Sequence, residues 1–348
     1  MLKGLFINNP KAKDSIYASG FMVYECLKLS NKYDLDYIEV DVDNRMIKME
    51  YDFYFFNYHD VTMRWLDTSP LKKDLGCVIT MILEVLPNDA FVRTPEKDFS
   101  IYCVIDPTIT SKGNLYSFPR PLEKINFELP KIYNQLPIIG SFGFATKGKG
   151  FEHVVEAVNK EFDKAIIRIN IPFGDFVPDS KEYSKYITDL CKKTAKPGIE
   201  VNVTHEFFSK KDLVIWCASN DLNCFLYDRD FPGLAATTDQ AIITGKPLSV
   251  SNNNTFRHIT AYLPAYPTFS LKDSLQKSIP LVNKMNEEWS QEKFMKRFEF
   301  VLEENKVLKN NLRQESFYNL PLFDDKLKNT LKARFKKYKR KIKKFLFS

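Results

Sequence analysis

Residues 137–171 read PIIGSFGFATKGKGFEHVVEAVNKEFDKAIIRINI, and this stretch admits few folds. An apolar run at 137–139 stops at Gly140 and Gly143, and Lys147 and Lys149 then alternate with Gly148 and Gly150. From Phe151 onward, Val154, Val155, Ala157 and Val158 recur at helical spacing. A second apolar run closes the unit, so the order is strand, glycine-rich loop, helix, strand. Glycine lets backbone amides approach a ligand closely, and a helix N-terminus carries partial positive charge. Two lysines in such a loop make a diphosphate seat. The spacing matches neither GxGxxG nor GxxxxGK[ST], so glycines that serve only a tight turn remain the alternative.

Strand-like and helix-like segments alternate through the rest of the chain. In the first half, strands are expected over 2–8, 36–41, 51–58 and 100–105, a helix over 20–30 and a further apolar run over 76–85. Residues 107–136 hold Pro107, Pro119, Pro121 and Pro130 with little periodicity, and read as an interdomain linker. In the second half, strands are expected over 137–142, 165–171, 199–205, 222–227 and 247–250. Helices are expected over 150–162, 180–195, 209–219 and 234–245, with longer helical patterns over 272–289 and 291–310. Gly245 and Pro247 supply the stop for the helix over 234–245.

Apolar strands joined through helices predict an α/β protein with mostly parallel sheets covered on both faces. A length of 348 residues suits two such domains. The expected organisation is a Rossmann-like domain with linker over 1–136, a second Rossmann-like domain over 137–310, and an extension over 311–348. In open parallel sheets ligands bind beyond the carboxyl ends of the strands. Two domains facing one another would therefore bring their loops to a single cleft.

The formal charge of +7 is misleading, because residues 326–348 carry eleven Lys or Arg and no acid, which leaves −4 for the rest. A nucleic-acid-binding face on the body is not expected. The six cysteines form no CxxC pair and mostly sit in apolar runs, which implies buried thiols in a reducing compartment. The four histidines are scattered and no metal constellation is visible. No signal peptide and no transmembrane run is expected, so the expected location is the cytoplasm.

GSFGFATKGKGF, followed by DRDFPGLAATTDQAIITGKPLSVSNNNTFRHI, resembles the C-terminal domain of GT-B glycosyltransferases of the family 4 type. The resemblance covers residues 137–260 and extends to 1–136 by element order. It implies two Rossmann-like domains facing a cleft, with a nucleotide-diphosphate sugar held by the second and a glycan or lipid-linked acceptor held by the first. It places Lys147 and Lys149 beside Gly143 on the donor diphosphate, and the amides of Gly233, Leu234, Ala235 and Ala236 against phosphate or sugar. Gln240, with Asp239 beside it, stands where the family's ribose-contacting glutamate stands. Pro232 stands at the other glutamate of the E-x7-E signature, so that signature is absent, and Asp228 or Asp230 is its candidate substitute. A lysine pair and oriented amides would stabilise the departing diphosphate without a metal or other cofactor.

On the acceptor side, His59 at the end of FYFFNYH is the first candidate base. A strand-capping role is its alternative. Asp14 and Ser15 are further acceptor-side candidates, and Arg257 a further cleft residue or else a surface ion pair. Asp106 reads as the start of a turn with Pro107, and His153, His205 and His258 as structural. The missing glutamates keep a noncatalytic GT-B-like binding protein open as an alternative, with a sugar-nucleotide epimerase behind it.

At the chain's end Leu327, Leu331, Phe335, Tyr338, Ile342, Phe345 and Leu346 form one helical stripe among the basic residues. A cationic amphipathic helix of this kind suits the anionic inner face of a membrane. Packing on the body of the protein is the alternative.

Overall fold

The computed structural model describes residues 1–88, 98–174, 179–229, 231–309 and 316–323, with the Asp14 side chain outside that set. The basic stripe at 326–348 also lies outside it.

The first lobe is built on a six-stranded parallel sheet in the order β2-β1-β4-β5-β6-β7. Its strands are β1 (Leu2–Asn8), β2 (Tyr33–Glu39), β4 (Phe53–Phe56), β5 (Val78–Ile82), β6 (Ile101–Val104) and β7 (Leu115–Ser117). A short β3 (Met46–Lys48) pairs antiparallel with β13 (Phe317–Asn319) near the end of the chain. The second lobe holds a five-stranded parallel sheet in the order β10-β9-β8-β11-β12. Here β8 is Ile138–Phe142, β9 Ala165–Asn170, β10 Ile199–Thr204, β11 Leu222–Phe225 and β12 Leu248–Val250.

Each sheet is covered on both faces, which is why its strands read as unbroken apolar runs. In β4, Tyr54 and Phe56 point into one core while Phe53 and Phe55 point into the other, as the two-residue pleat requires. Each sheet also winds outward from a central strand and then resumes on that strand's other side. The order reverses between β1 and β4, and again between β8 and β11. Beyond the carboxyl ends at such a reversal, the flanking loops diverge and leave a crevice.

Most expected elements are present. β1 has the expected bounds, and the helix expected over 150–162 is Phe151–Glu161. The expected linker starts too early, because β7 inside it completes the first sheet. Three residues followed at once by Phe118 and Pro119 carry too little alternation to signal a strand. The helix expected over 272–289 is two helices, Leu271–Lys277 and Ile279–Glu288, with Pro280 in the first turn of the second. Proline has no amide to donate and suits that position.

The helix expected over 291–310 ends at Glu304 and covers the first lobe, not the second. Its apolar face, Phe294, Phe298, Val301 and Leu302, packs against β1, β4 and the helix Ala18–Leu27. The Phe298 ring centroid lies 5.5 Å from Phe55, 5.8 Å from Tyr33 and 6.0 Å from Phe53. The chain thus crosses back, and the first lobe needs residues from both ends of the sequence. We expect Phe298→Ala to cost roughly 3–5 kcal/mol, read as a lower urea midpoint. An unchanged midpoint would contradict the packing described.

Candidate functional site

The loop that follows β8 is shaped by three glycines. Gly143, Gly148 and Gly150 have φ of 152°, 77° and 64°. A Cβ at Gly150 would sit 1.8 Å from the Leu226 carbonyl oxygen, so only glycine lets the loop close on the end of β11 and start the helix Phe151–Glu161 there. Between these glycines the Lys149 side chain runs inward beneath Gly143, whose Cβ would meet the Lys149 Nζ at 3.3 Å. Lys149 is 8% exposed. Its ammonium donates to the Tyr227 hydroxyl at 2.8 Å, and that hydroxyl lies 2.9 Å from Thr237 Oγ1. Burial pushes the Lys149 pKa down. Among the described residues no carboxylate pairs with it.

Lys147 is exposed, in contrast to the buried Lys149. Arg229 is the second cation instead. Its guanidinium carbon lies 5.2 Å from the Tyr227 ring centroid and 5.0 Å from that of Phe231, and its buried Nε has no hydrogen-bond partner among the described residues. The Lys149 Nζ lies 4.4 Å from the same Tyr227 ring. One tyrosine therefore gathers two cations, and among the described residues neither has a carboxylate partner. The sequence signal was the DRD triplet at 228–230, in which the acids drew attention away from the arginine between them.

The expected donor-side acids are placed differently. Asp228 is exposed and lies 3.3 Å from His153 Nε2. Asp230 lies outside the described residues. Asp239 is buried against Arg120, its Oδ2 accepting from Nε at 2.9 Å, and desolvation raises its pKa. Gln240 is half-buried on the same short helix, Thr237–Ile243. The Ala235 amide is taken up by the Thr255 carbonyl at 3.1 Å. Gly233 forms an antiparallel bridge with Glu84 of the first lobe.

That bridge belongs to a wider junction between the lobes. Arg257 Nε donates to Asp106 Oδ2 at 2.7 Å, and Nη2 lies 2.6 Å from the same oxygen. Nη2 also donates to the carbonyls of Val85 at 2.9 Å and Pro232 at 2.8 Å, and Nη1 to Asn254 at 2.7 Å. Arg257 is therefore neither a free cleft cation nor a surface pair but a clamp between lobes. Asp106 does begin the expected turn, accepting from the Thr108 amide at 2.9 Å, and its other oxygen serves the clamp.

His59 sits beside this junction with Nδ1 engaged. Nδ1 accepts from the Val61 amide at 3.1 Å, and Nε2 lies 3.7 Å from Glu84 Oε2. The imidazole holds the Glu84 carboxyl below its usual pKa. Ser15 Oγ turns back to the Ala12 carbonyl at 3.4 Å. The histidines expected to be structural lie within packing contacts. His258 is fully buried and stacks on Trp289, and His205 Nδ1 lies 3.0 Å from the Ile171 carbonyl.

No protein-family model matches the sequence, and no curated protein is significantly similar to it. Solved structures are similar in three dimensions. A glycosyltransferase from Rickettsia africae has a TM-score of 0.61 at 11% identity, over 89% of this chain and 99% of that one. HepE of Anabaena, in complex with UDP and glucose, has a TM-score of 0.58 at 9% identity, over 87% of this chain and 100% of that one. The trehalose-6-phosphate synthase OtsA has a TM-score of 0.57 at 10% identity, over 88% and 99%.

The chain has the GT-B fold. In a GT-B protein the loops at the carboxyl ends of both sheets face one cleft, and here the Gly143–Gly150 loop follows the carboxyl end of β8 and Glu84 that of β5. Among the described residues, no group of three or more His, Cys, Asp or Glu side chains could hold a metal ion. No described helix is long and apolar enough to cross a membrane.

The GT-B lobes are held together here by a buried charge pair, Arg257 and Asp106, at 10% and 3% side-chain exposure. Removing one partner of such a pair strands the other's charge. Arg257→Met is expected to cost about 3–5 kcal/mol and to speed amide exchange at 84–86 and 232–234. Exchange rates equal to the parent's there would remove the clamp from the account.

Proposed function

We propose that the protein transfers a sugar from a nucleotide-diphosphate sugar to a glycan or lipid-linked glycan acceptor. The observation that carries this reading is the pair of cations on Tyr227, Lys149 buried and Arg229 half-buried, with no carboxylate partner among the described residues. A buried ammonium without a counter-ion costs folding free energy, and a cation kept at that cost beside a cleft marks a place where an anion is bound. The GT-B fold and the UDP held by HepE favour a nucleoside diphosphate as that anion.

The chemistry follows from the charges. As the bond between the sugar's anomeric carbon and the diphosphate oxygen breaks, negative charge grows on the leaving oxygen. Cations already in place stabilise that growth without reorganising. We propose that Lys149 and Arg229 do this without a divalent metal. Transfer that persists in EDTA is the expected outcome, and loss of transfer restored by added Mg²⁺ would overturn it.

Lys149→Met separates stability from binding. The free protein is expected to gain about 1 kcal/mol, while UDP affinity measured by calorimetry falls at least tenfold. Between its lowered pKa and the ordinary 10.5, Lys149 binds fewer protons in the folded chain than in the unfolded one. Parent stability therefore rises with pH across that window, and the gap between Met variant and parent should close as pH is raised. A variant that binds UDP as the parent does would sink the assignment.

A noncatalytic nucleotide-binding protein is the second reading, favoured by Pro232 and Gln240 at the glutamate positions. It predicts UDP binding with neither transfer nor donor hydrolysis. The basic stripe at 326–348 favours a lipid-linked acceptor at an anionic membrane face. Truncation before Lys326 is expected to abolish binding to phosphatidylglycerol vesicles, and retained binding would refute that part.

A further inference from the structure

We propose that Glu84, from the first lobe, is the residue that contacts the donor sugar, accepting hydrogen bonds from its hydroxyls. This rests on the reading of the cleft as a nucleotide-sugar site. Glu84 follows the end of β5, and its backbone is bridged to Gly233, on the loop that runs on from Tyr227 and Arg229. Arg257 fastens the carbonyls of the adjoining residues, Val85 on one side and Pro232 on the other. The Glu84 carboxylate is thereby laid across the second-lobe loop, its Oε1 3.2 Å from where a Gly233 side chain would begin. Gly233 leaves the room that the carboxylate occupies.

The carboxylate is also poised for a ligand. His59 Nε2 faces Oε2 at 3.7 Å, and the Glu84 side chain is still 56% exposed. A carboxylate repels phosphate and accepts from hydroxyls, whereas an ammonium or guanidinium does the reverse. Two cations, Arg229 of this loop and Lys149 of the glycine loop, thus meet at Tyr227, and an anion from the first lobe meets the same loop at Gly233. A ligand that is a diphosphate at one end and a polyol at the other matches that order, with its sugar toward the first lobe. His59, whose Nδ1 is held by the Val61 amide and whose Nε2 faces Glu84, is then a positioning residue for that carboxylate.

The test compares nucleotide with nucleotide sugar in parent and Glu84→Gln, a near-isosteric change. UDP and UDP-glucose, GDP and GDP-mannose, and dTDP and dTDP-glucose are titrated calorimetrically, and the pair with the tightest nucleotide is used. The parent should bind the sugar form more tightly than the bare nucleotide. Glu84→Gln should lose about tenfold in affinity for the sugar form and keep its affinity for the nucleotide. An increment that survives in the variant overturns the proposal, as does a parent with no increment. An equal loss for nucleotide and sugar form also overturns it, since that is the mark of altered lobe closure. A parent that binds no nucleotide at all defeats the nucleotide-sugar reading itself, and Glu84 falls with it.

Discussion

The Arg257 guanidinium fixes the relation of the two lobes. It takes a carboxylate and a carbonyl from the first lobe and two carbonyls from the second, all within 2.9 Å. Arginine suits this task because its fork presents several donors in fixed directions and stays charged. Asp106 neutralises the charge, and carbonyls accept from three of the other four N–H groups. The partners are discrete and directional, so the loops at 84–85 and 232–233 have one register.

The cation pair on Tyr227 depends on that register only indirectly, and on glycine directly. Gly150 closes the loop against Leu226, and this buries Lys149. The ring then offers a negative face to both cations, and its hydroxyl accepts from one of them. These interactions lower the cost of the buried charge without cancelling it, as the depressed Lys149 pKa records. A carboxylate in the same place would satisfy the ammonium and leave nothing for an incoming anion.

Local periodicity made the sheets legible. Runs such as LKGLFIN and FYFF have one plausible fate in a doubly covered sheet, and the helix Phe151–Glu161 shows its apolar face plainly. The strands β3, β7 and β13 were not legible, because three residues show no period and their pairing partners lie elsewhere in the chain. The helix Gln291–Glu304 was legible as a helix but not in its destination, since an amphipathic stripe says that a face is buried and not against what. In the site, Lys149 stood out through its glycines. Arg229, Tyr227 and Glu84 did not, because their roles come from approach in space: a ring between two cations, and a bridge across 149 residues from Glu84 to Gly233.

The same distinction bears on the acids of the second lobe. Asp239 is spent on Arg120 at the linker, and Asp228 is tied to His153 at the start of the glycine-loop helix. The first is a buried ion pair of the scaffold, and the second is a contact to an imidazole. A diphosphate site tolerates no free carboxylate next to its cations, because at a few ångströms like charges repel strongly in a partly dry cleft. An acid that meets the ligand must therefore stand off from the phosphates. Glu84 reaches over from the first lobe to the far end of the loop, where its backbone is bridged to Gly233.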